Sequence, residues 1–451
     1  QVDQAKSMFR SVFSVMDDNK DFVDYLSNSL ITLGDSVPEE IKSCKISTRN
    51  PATDSKIFKV DFLPDSLFAE PGVKIPNRVG FSKYASFINT ITEKKYGRPL
   101  FLAMSADLAG STNLSGFSKD YNDKDSDKGL FDKNSNMESP VFPQGITEFT
   151  NAGMMAGATT VNFNCNTYES FNGFFGAVST YGSFSYLKYG PLRLFSQIAQ
   201  DSNLKVGKLL WVAGHSGPET AEDSRTHYGI FAPGVTQLFP KGQVINIHPW
   251  EHNEVAPALA ASLNTEVPII AIHLTRPPIA IPDREALGIS SHMHASKGAY
   301  LIKDFDNNRP KEGMVIIRGT SPTNSLMQIL PRITDEGPNI KIIAAISWEL
   351  FQRQSKSYKE SIAKTYDWYD AMIITNTAIK LMGNWIANIM VEKYSLSPDF
   401  DNKWRTGGSV DEIIAESKLD SESLWKGIKR FVNDRHIRLK YLNGIYKNIS
   451  K

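Results

Sequence analysis

The sequence predicts an α/β protein with two doubly wound, mostly parallel-sheet domains that follow an N-terminal helical and linker segment. From about residue 79, short apolar runs that end in turn residues alternate with amphipathic stretches of helical period. A Pro-rich crossover at 277–296 divides this alternation into two rounds. We therefore predict a helical segment and linker over 1–76, a first α/β domain over 77–290 and a second over 291–451.

The N-terminal segment has the spacing of amphipathic helices over about 2–41. Four apolar residues fall on one helical face, namely Phe9, Val12, Phe13 and Met16. A turn before Pro38 predicts a second helix start, because proline suits the first helical position. The stretch 47–76 is rich in Pro, Asp and Ser and is expected to be a linker lying over a surface.

The first predicted domain contains four short apolar runs typical of buried strands. These strands are expected at 99–104, 208–213, 243–248 and 267–274. Helices are expected at 81–92, 145–161, 192–200 and 251–263. The helix over 145–161 is rich in small residues, which suits close packing against another backbone.

The second predicted domain repeats the theme with strands at 313–318, 340–346 and 371–375. Ser321 is expected to cap a helix from Pro322 to Leu330. A basic amphipathic helix is predicted from Leu424 onward, and its basic residues are expected to form a solvated face rather than a nucleic-acid patch.

Composition excludes several broad classes of function. The 451 residues carry 50 Lys and Arg against 49 Asp and Glu, so the charge gives no general argument for nucleic acid or membrane. No apolar run approaches transmembrane length, and no signal-peptide pattern opens the chain. The two cysteines are far apart, which fits a reducing compartment. We expect a cytoplasmic protein.

The loop 214–229 holds the most concentrated chemistry. His215 and His227 flank Glu222 and Asp223 and follow a predicted strand. Open α/β sheets place their ligands at the carboxyl ends of strands. Two imidazoles and a carboxylate at such a position could move protons or bind a polyol, although a plain polar surface loop is the simpler alternative.

The spacing of this loop resembles the transketolase family, in which a histidine, an acidic pair and a Thr-His dipeptide follow at the same interval. Six residues keep that register, namely His215, Ser216, Glu222, Asp223, Thr226 and His227. This sequence departs from the family at Ser224-Arg225 and at Tyr228-Gly229. The resemblance implies that His215, Asp223 and His227 bind substrate, with His227 also moving protons.

A second resemblance lies at Ser105-Ala-Asp-Leu, which is similar to a family segment that follows a strand. It implies that Asp107 and Leu108 border the thiazolium of thiamine diphosphate and that Ser111 reaches the phosphate of a sugar phosphate. Capping and turn formation is the alternative, because Ser and Asp favour turns in all proteins.

Gly145-Ile-Thr-Glu148 resembles the family segment that carries the glutamate of the aminopyrimidine. The resemblance implies that Glu148 is catalytic and binds the cofactor by hydrogen bonding a pyrimidine nitrogen. Such a glutamate must hold a proton part of the time, so burial should raise its pKa. The alternative is an acid in the first turn that the helix dipole stabilises.

Two further segments are similar to family sites. The stretch 182–189 resembles the aromatic pocket of the pyrimidine, with Phe184, Leu187 and Tyr189 at the implied positions, although the match is imperfect. Arg276 matches an arginine that binds phosphate, a group that guanidinium pairs well. Arg78 is a looser candidate for a second such arginine.

No metal site is expected on this chain. His248-Pro-Trp-Glu-His252 fits a zinc pattern that requires a helix, but Pro249 leaves His248 outside it. The aspartates at 123, 125 and 127 suggest a calcium loop, but its glycine is one place late and its closing glutamate is absent. The histidines at 292 and 294 are expected to be solvated.

The family resemblance implies transfer of a two-carbon ketol unit between sugar phosphates, in carbohydrate metabolism of the pentose phosphate type. The family's Gly-Asp-Gly segment, which holds Mg²⁺ and the cofactor diphosphate, is missing. We therefore expect a fragment or subunit that supplies the pyrimidine half of the site, dimerises, needs a diphosphate-binding domain and is inactive alone. The alternatives are half of a phosphoketolase or 2-oxoacid dehydrogenase β subunit, or a non-catalytic assembly module.

Overall fold

A computed structural model describes most of the chain, as two compact units that divide at Ile46 and are treated separately below. The described residues are 2–36, 46–106, 109–123, 125–335, 337–405 and 407–449. Within this part, no helix is long and apolar enough to cross a membrane.

The first unit contains two helices, α1 (Val2–Asp18) and α2 (Lys20–Asp35). Both lie in the stretch for which helices were predicted. No residue of either helix is buried, so the apolar face that predicted α1 is exposed in this unit. The helix start predicted near Pro38 lies outside the described residues.

The second unit contains all the strands of the described chain. They are β1 (Lys74–Ile75), β2 (Phe101–Ser105), β3 (Val141–Phe142), β4 (Phe175–Thr180), β5 (Leu209–Ala213), β6 (Val244–Ile247), β7 (Ile269–His273), β8 (Ile279–Ala280), β9 (Ala299–Lys303), β10 (Met314–Arg318), β11 (Lys341–Ala345) and β12 (Ala371–Thr375). Its helices are α3 (Asn77–Tyr96), α4 (Glu148–Thr160), α5 (Tyr189–Asp201), α6 (Ala232–Thr236), α7 (Val255–Leu263), α8 (Thr320–Asp335), α9 (Trp348–Gln352), α10 (Lys356–Ile362), α11 (Thr365–Tyr369), α12 (Ile389–Tyr394), α13 (Val410–Glu416), α14 (Ser421–Asn433) and α15 (Arg435–Ile449).

The larger sheet has six strands in the order β3-β2-β4-β5-β7-β6, all parallel. Its two faces are both covered, as the alternation of side chains along β5 shows. Leu210 and Val212 pack with α3 and α7 on one face, whereas Leu209 and Trp211 pack with α4 and α5 on the other. This arrangement confirms the doubly wound α/β class.

The smaller sheet has the order β12-β10-β11-β9, with only β9 antiparallel. It too is covered on both faces: Val315 and Ile317 of β10 face α8 and α14, and Ile316 faces an aromatic cluster around Trp385. The sequence predicted β10, β11 and β12, but it did not predict β9 or the two-stranded pair β1-β8, of which β8 lies within the predicted crossover.

The predicted linker over 47–76 is a packed segment rather than a loose one. It forms four short 3-10 turns and buries Ile57, Phe58 and Leu67. The ring of Phe58 stacks on that of Phe175 at 6.0 Å between centroids. The linker therefore extends the core on one side of the six-stranded sheet.

Two predictions about the second domain were wrong in detail. Helix α8 begins at Thr320, so Ser321 lies inside its first turn and does not cap it. The C-terminal basic stretch is two helices, and its basic residues are not all solvated. Arg438 is 1% exposed and donates to Asp370 at 2.8 Å, because a buried guanidinium needs a carboxylate partner.

Candidate functional site

The predicted site residues lie at the carboxyl edge of the six-stranded sheet. The loops that follow β2, β4, β5 and β7 meet there because all four strands are parallel. The histidine loop (214–229) follows β5, Arg276 follows β7, and Arg78 lies in the first turn of α3. Asp107 and Leu108, predicted to border the thiazolium, lie outside the described residues.

Arg78, Ser111 and His215 form one hydrogen-bonded group. Arg78 Nη1 donates to the carbonyl oxygen of Ser111 at 2.7 Å and to His215 Nε2 at 2.9 Å. Because arginine can only donate, His215 Nε2 must accept and the proton of the neutral ring lies on Nδ1. His215 Nδ1 is buried and has no hydrogen-bond partner among the described residues.

The environment keeps His215 neutral. Burial, together with the positive charges of Arg78 and Arg276, lowers the pKa of His215 to about 3, and the charge of Asp223 opposes this shift. At neutral pH the ring can therefore offer a hydrogen-bond donor to an anion but no charge. The cationic role falls to the two arginines.

Arg276 forms an ion pair with Asp223, its Nη1 contacting Oδ1 of the carboxylate. The hydrogen bond from Arg276 to Asp223 raises the pKa of the guanidinium. Burial lowers the pKa of Arg78, and the charge of Arg276 lowers it further. The positive charges of the two guanidinium groups therefore repel one another, and a bound anion would reduce this repulsion.

His227 lies beside this group with one nitrogen engaged. Its Nδ1 is 2.8 Å from Ser224 Oγ and 3.1 Å from Thr226 Oγ1. The ring meets Tyr181 edge-on at 5.0 Å and Phe184 at 5.5 Å between centroids. Because Nδ1 is engaged by Ser224 and Thr226, Nε2 is the nitrogen that could exchange a proton with a ligand.

Tyr181 is a site residue that the sequence reasoning missed. Its ring stacks on His215 at 4.3 Å with 17° between the planes, so it links the two histidines. It directly follows β4. This strand was not predicted, because its glycine and serine residues interrupt the apolar run. Its position after a parallel strand is the signal that could have identified it.

Glu148 begins α4 and is 6% exposed. Its Oε1 accepts a hydrogen bond of 3.0 Å from Thr180 Oγ1, at the end of β4. The predicted aromatic pocket is less complete. Leu187 is 38% exposed, and Tyr189 lies away from the group, with its ring packed edge-on against Phe239 at 5.3 Å.

Lys188 lies beneath this region, and the sequence did not indicate it. It is fully buried, and its Nζ donates to the carbonyl oxygens of Val178 at 3.2 Å and Val212 at 2.9 Å. Burial lowers the pKa of Lys188 well below its usual value, and the charge of Glu148 opposes that shift. No carboxylate within the described residues forms an ion pair with it.

A cavity of about 700 Å³ opens beside His227. Five of its twelve lining residues are aromatic, among them Phe184, Phe231 and Trp404. Trp404 comes from the loop that follows α12 and is 56% exposed. The volume lies in the range of sites for small molecules.

The two histidines of the zinc pattern point to separate partners. His248 stacks on His273 at 4.4 Å, whereas His252 Nε2 contacts the carbonyl oxygen of Leu67 at 3.2 Å. His292, expected to be solvated, packs on Phe68, and burial lowers its pKa to about 4. Across the described ranges, no three His, Cys, Asp or Glu residues are grouped to hold a metal ion.

Comparison with known proteins gives a consistent assignment for the first α/β domain. Residues 87–278 match the family model described as the pyrimidine-binding domain of transketolase. The transketolase of Staphylococcus epidermidis is 28% identical over 267 residues, which is 58% of this chain and 35% of that protein. Transketolase 7 of Craterostigma plantagineum is 27% identical over 166 residues, which is 36% of this chain and 23% of that protein.

Solved structures give the same fold at low sequence identity. The transketolase from Leishmania mexicana superposes with a TM-score of 0.61 at 15% identity, covering 85% of this chain and 48% of that one. The Campylobacter jejuni transketolase gives 0.59 at 16% identity, covering 83% and 50%. The chain thus spans about half of these structures and a smaller share of the curated relatives. Over residues 87–278, the chain is therefore similar in sequence to the pyrimidine-binding domain of transketolases, and its fold agrees with theirs.

Proposed function

We propose that this chain supplies the pyrimidine-binding and substrate-binding half of a thiamine diphosphate-dependent transferase. The transferase would move a two-carbon ketol unit between sugar phosphates. The observation that carries the proposal is the convergence of Arg78, His215, Asp223 and Arg276 at one sheet edge, next to Glu148. A Pichia stipitis transketolase of the same fold, with a TM-score of 0.57 and 18% identity, was solved with sedoheptulose 7-phosphate.

The phosphate of the sugar is assigned to the two arginines. Arg78 and Arg276 supply charge and planar donors, and His215 Nδ1 supplies a neutral donor that has no partner among the described residues. Ser111 lies within this group through its contact with Arg78. A phosphate dianion would offset the repulsion between the two guanidinium groups.

The sugar hydroxyls are assigned to the acidic and imidazole groups of the histidine loop. Asp223 can accept a hydrogen bond from a hydroxyl while it keeps Arg276 in place. His227 can take a proton at Nε2, since Nδ1 is held by Ser224 and Thr226. Asp223 thus provides a fixed hydrogen-bond acceptor, and His227 provides a nitrogen that can take up or release a proton.

Glu148 fits the pyrimidine end of the cofactor, since its carboxyl is buried and hydrogen bonded at the sheet edge. When bound, thiamine diphosphate supplies a nucleophilic carbon. Glu148 would hold a proton at the pyrimidine, and the buried Thr180 hydroxyl fixes one of its carboxylate oxygens. Phe184 and Leu187 would border the ring, with Tyr189 in an indirect role. For the diphosphate and Mg²⁺ the sequence offers no Gly-Asp-Gly segment, so we assign both to a separate diphosphate-binding domain or subunit.

A non-catalytic assembly module is the second candidate. Two observations favour it, because each weakens the pyrimidine pocket: Leu187 is partly exposed, and Tyr189 packs against Phe239. Such a module would keep the fold and the dimer contacts of the enzyme without turnover.

Self-association is part of both candidates. Apolar side chains are exposed around α4, with Ile146 at 79%, Phe149 at 64% and Met154 at 48%. Gly157 on the same helix has open space where a Cβ would lie, so another backbone could approach closely. We propose a homodimer through this face, which sedimentation equilibrium of the chain would measure. The cytoplasmic location stays a prediction.

The test is reconstitution. The chain is mixed with the diphosphate-binding domain of a transketolase, cofactor and Mg²⁺, and ketol transfer from a ketose phosphate to an aldose phosphate is followed. Transfer that requires both chains supports the enzyme. Assembly of the two chains without any transfer would replace it with the non-catalytic module.

A further inference from the structure

The histidine loop is attached to the smaller sheet as well as to the larger one. It begins at the end of β5, yet the carboxyl ends of β10 and β12 also contact it. Glu219, in the middle of the histidine loop, is 1% exposed. Its Oε1 accepts a hydrogen bond of 3.1 Å from the backbone N–H of Ser321, in the first turn of α8.

Two glycines allow this close approach. Gly217 has φ of +91°, and a Cβ there would overlap Glu219 Oε2 and lie 2.7 Å from Asn376 Nδ2. Gly319, which follows β10, has φ of +101°, and a Cβ there would overlap the side chain of Asn376. The Glu219 carboxylate therefore lies in a space shaped by backbone from both sheets.

A second group of contacts holds the other end of the histidine loop. Tyr228 donates its hydroxyl proton to the carbonyl oxygen of Pro398 at 3.2 Å and accepts from Arg405 at 3.1 Å. Ala221, Tyr228 and Ile230 form a buried apolar cluster with Ile413 of α13. His215, Asp223 and His227 therefore lie on a loop that is fixed at the middle and at its end by the smaller-sheet region.

The Glu219 carboxyl accepts its hydrogen bond from Ser321 rather than from Arg78 or His215. It lies four residues from His215 and four from Asp223 on the same loop, so it can act on them only by fixing the backbone between them. Burial raises the pKa of Glu219, as expected for a carboxyl held in the interior for the shape of its contacts.

We propose that Glu219 is a positioning residue, through which the smaller-sheet region holds the histidine loop in its ligand-binding arrangement. The proposal deepens the proposed function, on which only the identity of the ligand rests. Because Glu219 is one of the contacts through which the smaller-sheet region holds the loop, releasing it from Ser321 should loosen the backbone next to His215 and the hydrogen bond of His215 with Arg78.

The ionisation of His215 reports this arrangement without any cofactor. In the full chain, the pKa of about 3 depends on burial beside Arg78 and Arg276. Side-chain NMR of labelled histidines between pH 4.5 and 8 should show no titration of His215, assigned by its loss in a His215→Gln variant. In Glu219→Ala the His215 pKa should rise toward 6.5 and the ring should titrate in this window.

Three further variants make the result specific. Glu219→Gln keeps an acceptor for Ser321 and should leave His215 untitrated, whereas Glu219→Asp is too short to reach and should behave like Glu219→Ala. Glu392→Ala removes an exposed glutamate of α12 and should change nothing.

Glu219→Ala and Glu219→Asp together test the proposal. If Glu219→Ala does not fold, Glu219→Asp carries the test. An untitrated His215 in a folded Glu219→Asp or Glu219→Ala variant would overturn the proposal. Calorimetry with inorganic phosphate separates this from the proposed function, because a wild-type chain that binds no phosphate would contradict the ligand assignment and leave the titration result unaffected.

Discussion

The two ends of the candidate site differ in how fully this chain builds them. At the phosphate end, Arg78, Ser111 and His215 share short hydrogen bonds, and Arg276 is paired with Asp223. At the pyrimidine end, Glu148 is buried and bonded, but the residues predicted around it do not enclose a ring. Leu187 is partly exposed, and Tyr189 lies elsewhere.

The difference follows from which elements of the fold form each end of the candidate site. The proposed phosphate end is made of residues on loops that follow neighbouring parallel strands of one sheet, together with Arg78 from the first turn of α3. The pyrimidine end opens between α4 and the turn over 182–188, where Ile146, Phe149 and Tyr186 are 79%, 64% and 60% exposed. Exposed apolar groups of this size are typical of surfaces that bind another domain or subunit, which agrees with the proposed dimer face.

The largest effect should come from the pyrimidine end once it is complete. In the reconstituted enzyme, Glu148→Gln should lower ketol transfer by about 10²–10⁴-fold, because the amide cannot transfer a proton to the ring. Glu169→Gln, on an exposed turn, is the matched control. A Glu148→Gln enzyme with more than about a tenth of the normal rate would contradict the role.

The phosphate end should show a smaller effect that depends on the substrate. Arg276→Ala should raise KM by about 10–100-fold for phosphorylated sugars and far less for unphosphorylated ones, since a hydrogen bond to a charged group is worth about 1.5–3 kcal/mol. His215→Ala should follow the same pattern more weakly, because His215 is neutral. Arg353→Ala, which removes a surface ion pair with Glu266, serves as control. Equal effects on both substrate types would remove the phosphate assignment.

Lys188 offers a change in stability beneath the pyrimidine end. The folded state holds its pKa well below 10.5, so protonation favours the unfolded chain at neutral pH. Lys188→Met should therefore raise Tm by about 2–6 °C at pH 7. That gain should shrink toward pH 10, where the unfolded chain also begins to lose the proton. Differential scanning calorimetry measures both, and a lower Tm at pH 7 would show that a folded-state partner compensates the charge.

Sequence reasoning worked where one strand end fixes one residue. It indicated the histidine loop because that loop follows an apolar run, which is β5, and it indicated Arg276 through a family resemblance at the end of the run that forms β7. It failed where the role of a residue depends on contacts with distant parts of the fold. Tyr181 was missed because β4 reads Phe-Gly-Ala-Val-Ser-Thr, too small and polar to stand out as an apolar run.

The sequence also gave no indication of which distant residues pair with one another. The sequence placed Asp223 and Arg276 in the site, but it assigned them to different parts of the substrate and gave no sign that they pair. The burial of Lys188 could not be predicted from the sequence either, because lysine is usually exposed. Its neighbours in the chain are indeed exposed or half-buried in the structure. The role of Glu219 depends on the smaller sheet, which the sequence kept in a separate domain.

The contrast between the two ends has a direct test in calorimetry of the chain alone. Titration with thiamine diphosphate and Mg²⁺ should give no binding in the micromolar range, because this chain offers a pyrimidine wall and no recognised diphosphate site. Addition of a transketolase diphosphate-binding domain should then produce tight, Mg²⁺-dependent binding that Glu148→Gln weakens. Micromolar binding by the isolated chain would contradict the account, since a complete cofactor site would then lie within these 451 residues.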